Sequence, residues 1–252
     1  MTSAATMIGL TKRFGSTLAV DCLDLTVPAG SFFGLVGPNG AGKTTSLRML
    51  VGLLRPDSGT AQIFGNDIWA DPLRAKAPMG VLPDGLGLPE RLTGLELLTY
   101  VGLLRGFDKA TVSKRTGELL EVLDLAEAKD HLVLDYSTGM RKKIGLATAL
   151  LPAPKLLVLD EPFEAVDPLS SATIRIILQR FVAAGGSVIF SSHVMALVEK
   201  LCDRVAVISH GKLLAEGTMQ QVRGGHASLD DAFVELVGGH VGGQEGLEWL
   251  VS

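Results

Sequence analysis

Apolar and polar residues alternate early in the chain. Leu23, Leu25 and Val27 are separated by Asp24 and Thr26, the period of a strand with one buried face. The pattern predicts short strands over 7–10 and 18–27 around the turn Phe14-Gly15-Ser16. After the turn Pro28-Ala29-Gly30, alternation gives way to the unbroken apolar run Phe32-Phe33-Gly34-Leu35-Val36, then to a helix-like stretch over 45–53. Pro56-Asp57-Ser58-Gly59 marks a turn before a strand over 60–64, and Val81-Leu82-Pro83 reads as a strand end. The period then turns helical. Thr93-Gly94-Leu95-Glu96 is a capping box. Asp108 caps a second helix, with Val112, Leu119, Leu120 and Leu123 on its apolar side. Ser137-Thr138-Gly139 precedes a third helix, which Pro152-Ala153-Pro154 stops. Buried-type strands follow at 156–160 and 187–191, with helices over 174–183 and 194–201 and a hairpin across His210-Gly211. Ser228 caps a last helix burying Leu229, Phe233 and Leu236, and the glycine-rich stretch 238–246 reads as flexible. Strands alternating with helices predict an α/β core around a parallel sheet.

Composition narrows this picture. The 252 residues suffice for one large domain, or for a domain carrying an insertion. A net charge of −4 argues against a nucleic-acid-binding surface. The basic triplet Arg141-Lys142-Lys143, at a helix start in an acidic chain, reads as a solvated face. Cys22 and Cys202 read as buried thiols of a reducing compartment. No secretory signal is visible at the start. The apolar run from Leu95 carries Glu96 and stops at Arg105, too short to span a bilayer, so the chain is expected to be soluble and to reach a membrane through a partner.

The chemistry begins at Gly37-Pro38-Asn39-Gly40-Ala41-Gly42-Lys43-Thr44, with Thr45 following. This is the spacing G-x-x-x-x-G-K-[ST] between a strand and a helix, the context of a phosphate-binding loop. Glycines let backbone N–H groups turn toward anionic oxygens, and the helix N-terminus adds partial positive charge. Lys43 supplies a full charge to the β- and γ-phosphates, and the Thr44 hydroxyl suits a magnesium ion. A second signal is Leu156-Leu157-Val158-Leu159-Asp160-Glu161. Asp160, at the tip of a buried strand, reaches magnesium through water. Glu161 is placed to take a proton from a water attacking the γ-phosphate. His193, just past another strand, is placed to donate to the γ-phosphate and to orient Glu161 or the water.

The order of phosphate loop, Tyr136-Ser137-Thr138-Gly139-Met140, Asp160-Glu161-Pro162, Asp167 and Ser192-His193 resembles the ATP-binding-cassette ATPases, over about 7–217. It looks most like the ATPase subunits of bacterial exporters of drugs, antibiotics, ions or polysaccharides. The resemblance implies an α/β P-loop NTPase fold with a parallel-sheet core, an N-terminal antiparallel β region and a helical subdomain insertion. The core would be 1–83 and 141–218, the helical subdomain with its signature 84–140, and the C-terminal helix and tail 219–252. It also implies ATP and Mg2+ as cofactors, a transmembrane permease as partner, no nucleic acid, and a cytoplasmic place on the inner face of the cell membrane. A second cassette, identical or related, would dock head to tail. Ser137 and Gly139 of one chain would then meet the γ-phosphate on the other; a helix N-terminus with a hydroxyl suits an anion, although without that order of motifs Ser137 reads first as a helix cap. Phe14 matches the aromatic that stacks on adenine, or is a core phenylalanine. Asp167 matches the acid of the segment coupling the two sites, where Glu164-Ala165-Val166 replaces the usual Ser-Gly-Leu.

The largest departure is Asp84, where such families place glutamine in contact with magnesium and the attacking water. A carboxylate there, near Asp160 and Glu161, makes nucleotide closure depend steeply on magnesium, or it faces solvent and does nothing. Two other classes share the phosphate loop: soluble cassette proteins of DNA repair or translation, and small-molecule kinases. The first tends to carry paired cassettes or long coiled-coil insertions, which are not seen here; the acid-glutamate pair and the signature argue against the second.

Overall fold

The computed structural model describes residues 2–85 and 87–238, so most of the glycine-rich stretch read as flexible lies outside the described residues. The chain opens with two long strands, β1 (Ser3–Phe14) and β2 (Thr17–Pro28), and then β3 (Phe32–Val36) leads into α1 (Lys43–Leu50). A small hairpin, β4 (Ser58–Ile63) and β5 (Asn66–Asp67), precedes α2 (Pro72–Lys76) and β6 (Met79–Leu82). Helices α3 (Gly94–Leu104), α4 (Lys109–Val122) and α5 (Thr138–Leu150) follow. The chain then returns through β7 (Leu156–Leu159), α6 (Pro168–Ala183), β8 (Ser187–Ser192) and α7 (Met195–Leu201). It ends with β9 (Arg204–Ser209), β10 (Lys212–Thr218), α8 (Met219–Arg223) and α9 (Leu229–Leu236).

Two sheets form. One is antiparallel, in the order β2-β1-β4-β5; the other has six strands in the order β10-β9-β3-β8-β7-β6 and is parallel except for its β9–β10 edge. The central strands are apolar throughout because both of their faces are covered. Phe33, Leu35, Val158 and Ile189 face α1 and the antiparallel sheet; Phe32, Val36, Leu157 and Phe190 face α5, α6, α7 and the helices of the insertion. Helix α1 therefore leaves β3 on one face, while α6 and α7 pack on the other. Connections that depart to opposite faces open a crevice at the carboxyl ends of β3, β7 and β8. A Cβ at Gly34 would strike Val198 and come within 3.0 Å of the Cys202 sulfur, so glycine here lets α7 lie directly on β3.

Caps set several helix starts. The Thr93 capping box and the Asp108 and Ser228 caps form as the sequence suggests. Helix α6 begins six residues before the periodic pattern, because Asp167 caps it and Pro168 fills its first position. The expected short strands of the N-terminal pair are each twelve residues long and bulged. Cys22 sits at such an irregularity with φ of 49° and is exposed, not buried as expected, whereas Cys202 is buried and its thiol pKa is pushed well up by desolvation. The basic triplet is also not a solvated face. Lys142 and Lys143 are 7% and 5% exposed, because α5 runs beneath the insertion and against β6 and is buried on most sides.

Candidate functional site

The phosphate loop fills the turn between β3 and α1. Gly40 and Gly42 adopt φ of 79° and 103°, conformations that favour glycine. A Cβ on Gly37 would run into the carbonyl of Ile208, so this glycine lets the loop lie against the end of β9. The β9–β10 turn braces the loop from that side, with Gly211 N–H donating to the Ala41 carbonyl at 2.9 Å. Gly42 is the N-cap of α1 and has no side chain to satisfy the first-turn N–H groups, which leaves donors and helix dipole for an anion. Lys43 is 6% exposed, and its ammonium donates to the carbonyls of Gly37 at 2.8 Å and Pro38 at 3.2 Å.

Beside this loop, β7 ends in Asp160. Its Oδ1 accepts from the Thr44 hydroxyl at 3.1 Å and from the Ser191 hydroxyl at 2.5 Å. Ser191 belongs to β8, next to β7 in the sheet, and its Oγ also accepts from the Glu161 N–H at 2.9 Å. Glu161 has φ of 46°, a left-handed conformation unusual for its residue type and of the kind that collects at functional sites. Its carboxylate lies between two cations or potential cations: Lys43 Nζ is 3.7 Å from one oxygen and His193 Nδ1 is 3.2 Å from the other.

Of these groups Lys43, Thr44 and Glu161 border a cavity of about 460 Å3, lined also by Phe14, Ala19, the rest of the segment from Asn39 to Thr45, Asp84 and Glu164. Phe14 is half exposed at its lip and is not a core residue. Asp84 lines the same cavity and is partly buried, so it does not simply face bulk solvent. His193 does not line it and reaches it only through Glu161; it borders a neighbouring cavity of about 300 Å3 together with Phe163 and Ala165.

The signature segment lies apart from that cavity. Ser137 and Thr138 are exposed, and the Ser137 hydroxyl caps α5 by accepting from the Met140 N–H at 3.2 Å. Gly139 is buried; a Cβ there would come within 2.6 Å of an Asp167 carboxylate oxygen and 2.7 Å of the Ser170 hydroxyl. Asp167 accepts from the Ser170 and Leu169 N–H groups, and the bonds from Ser170 hold its carboxyl below the usual range. Ala165 has φ of 54°, which explains physically why glycine is usual at this position.

Oxygen donors from Thr44, Asp160 and Asp84 suit a hard divalent cation, and the uncapped α1 N-terminus with Lys43 suits polyphosphate, so the residues fit ATP and magnesium. Sequence reading missed three residues. Ser191 is a polar residue closing an apolar strand, Lys142 sits in a basic triplet that reads as surface, and Ala19 gives no chemical signal.

Comparison with known proteins agrees with this geometry. The family profile described as ABC transporter matches residues 20–164. The chain is 41% identical over 222 residues to a daunorubicin/doxorubicin resistance ATP-binding protein of Streptomyces peucetius, covering 88% of this chain and 67% of that one. It is 40% identical over 209 residues to a Nod factor export ATP-binding protein of Ralstonia nicotianae, covering 83% and 65%. The chain thus spans about two thirds of the length of these relatives. Among solved structures, an ATP-binding subunit of an ABC transporter superposes with a TM-score of 0.86 at 28% identity, covering 93% of this chain and all of that one.

Proposed function

Because the chain belongs to the ABC transporter family, whose cassettes bind and hydrolyse ATP, we propose that it powers export through a membrane-spanning permease, as one of two cassettes docked head to tail. The observation that carries the reading is the convergence of Lys43 and His193 on the carboxylate of Glu161, which lines the cavity beside Thr44 and its bond to Asp160. Names of relatives support the exporter branch: one confers drug resistance and another exports Nod factor. Among the described residues no helix is long and apolar enough to cross a membrane, and the proposed reading assigns the translocation path to the permease. The proposed site of action is the cytoplasmic face of the cell membrane, held there by the permease, with no role for nucleic acid.

In this mechanism the Lys43 ammonium turns from its carbonyl partners to the β- and γ-phosphates, and the first-turn N–H groups of α1 hold the phosphate oxygens. Phe14 stacks on the adenine at the lip of the cavity. Thr44, Asp160 and Asp84 would hold magnesium, which when bound neutralises charge on the phosphate oxygens. Glu161 takes a proton from water as the water oxygen bonds to the γ-phosphorus and the bond to the β-phosphate oxygen breaks, giving ADP and phosphate. His193 orients the Glu161 carboxylate and donates toward the γ-phosphate. Ser137 and Gly139 of the second cassette close the site over the γ-phosphate, since within one chain they do not line the cavity. ATP thereby favours the closed dimer, and hydrolysis releases it.

Glu161→Gln tests the core of this reading. It is expected to bind ATP, to accumulate as a closed dimer and to lose roughly 100- to 10,000-fold in turnover. Parental turnover in that variant would remove Glu161 from the role of base.

A further inference from the structure

We infer that Lys142 is a positioning residue for Glu161: from inside α5 it holds the backbone carbonyl of the base and so fixes where the carboxylate points. The inference rests on the reading of Glu161 as the base. Lys142 is 7% exposed, and a buried ammonium needs partners. Its Nζ donates to the Glu161 carbonyl oxygen at 2.8 Å. Glu161 adopts φ of 46°, which an L residue disfavours and keeps only when its surroundings over-determine it. Here they do so from both sides of the residue. Ser191 on β8 takes the Glu161 N–H at 2.9 Å, and Lys142 on α5 holds its C=O. With the backbone clamped at both ends, the side chain leaves in one direction, between Lys43 and His193.

The same helix grips the far end of this catalytic segment, where Gly139 packs closely on Asp167 and Ser170. Its two other basic residues face elsewhere. Arg141 pairs with Glu90 ahead of α3, and Lys143 donates to the Asp124 carbonyl at the end of α4 at 3.2 Å. The triplet thus ties the insertion and the base to one rigid helix. A shift of α5, whose N-terminus carries Ser137, is transmitted through Lys142 to the Glu161 carbonyl.

The test measures ATP turnover and ATP affinity of the full chain carrying Lys142→Met, Lys142→Arg, Glu161→Gln, or Lys142→Met together with Glu161→Gln. Lys142→Met keeps length and burial but removes the donor. It is expected to lower kcat about 10- to 100-fold while ATP affinity stays within about twofold. Lys142→Arg keeps a donor and should restore most of the turnover. In the double variant Lys142→Met should add nothing to the loss from Glu161→Gln, because the aim of a missing base no longer matters. Parental kcat in Lys142→Met, a loss that appears in ATP affinity alone, or an additive loss in the double variant would each overturn the inference. Should Lys142→Met fail to fold, Lys142→Gln, polar but too short to reach the carbonyl, serves the same comparison. If Glu161→Gln itself turns over normally, the base assignment fails, which is distinguishable from failure of Lys142 alone.

Discussion

Helices α1 and α5 both start beside a glycine, yet their N-termini are built for different encounters. α1 begins after Gly42, which offers no capping side chain, and the following Lys43 curls back on the loop carbonyls. α5 begins after Ser137, whose hydroxyl already accepts from its own helix, while Ser137 and Thr138 remain exposed. The first N-terminus lies in a cavity with its donors free; the second lies on a surface with its cap made. In the proposed function these are two unlike halves of one anion site, which a single chain does not bring together. A cavity-lining terminus can bind phosphate alone, whereas a capped, exposed one contributes only when another surface delivers the anion to it.

Four changes break or sharpen this contrast. The largest effect is expected at α1. Lys43→Ala removes the ammonium and should weaken ATP binding by roughly 100-fold or more, measured by nucleotide titration of the dilute chain. Binding at the parental level would mean that the free N–H groups of α1 suffice. Next is Ser137→Asp, which keeps a good cap but puts a carboxylate where the second nucleotide's γ-phosphate would arrive. ATP affinity of the dilute chain should stay unchanged while turnover falls about tenfold through like-charge repulsion. Unchanged turnover would show that α5 takes no part in a composite site.

A smaller effect is expected at Asp84, within the α1 cavity. Asp84→Gln removes a carboxylate from the neighbourhood of Thr44 and Glu161, so ATP affinity should become less steep in magnesium, by about threefold across a titration. Coincident curves for the parent and the variant would assign Asp84 no electrostatic role. The smallest effect serves as a reference among residues that do not line the cavity. The Lys12 hydrogen bond, assisted by the Arg13 N–H, holds the Asp57 carboxyl below its ordinary 3.8. Its stabilising share is complete above that ordinary value and is lost as pH falls through the lowered native one. The parent's melting temperature should therefore drop in that acid window more than that of Asp57→Asn; parallel profiles would disprove the linkage.

Much of this is legible in the sequence alone, and the reason is local. A glycine loop between strand and helix, a capping box and an apolar run ending in acids are fixed by neighbours in the chain, and Thr93, Asp108 and Gly37 to Thr44 carry them on their face. The alternation at Leu23, Leu25 and Val27 announced a one-sided strand, and 156–159 a two-sided one. What failed was judged from residue type without its surroundings. Lys142 and Lys143 looked solvated because nothing local says that α5 will be covered, and Cys22 looked buried because a bulge is not written in composition.

The sequence by itself therefore determined the strand–helix alternation and the chemical types present at the cavity, since each rests on periodicity or on contiguous residues, and it carried the family through a resemblance in the order of its motifs. Only the tertiary structure decided that Ser191 joins Asp160 to Glu161, that Lys142 reaches the Glu161 carbonyl from nineteen positions earlier, and that Ser137 stays outside the cavity. Those facts depend on which strands lie side by side in the sheet and which helix covers them, and contacts of that kind close long loops that no local pattern encodes.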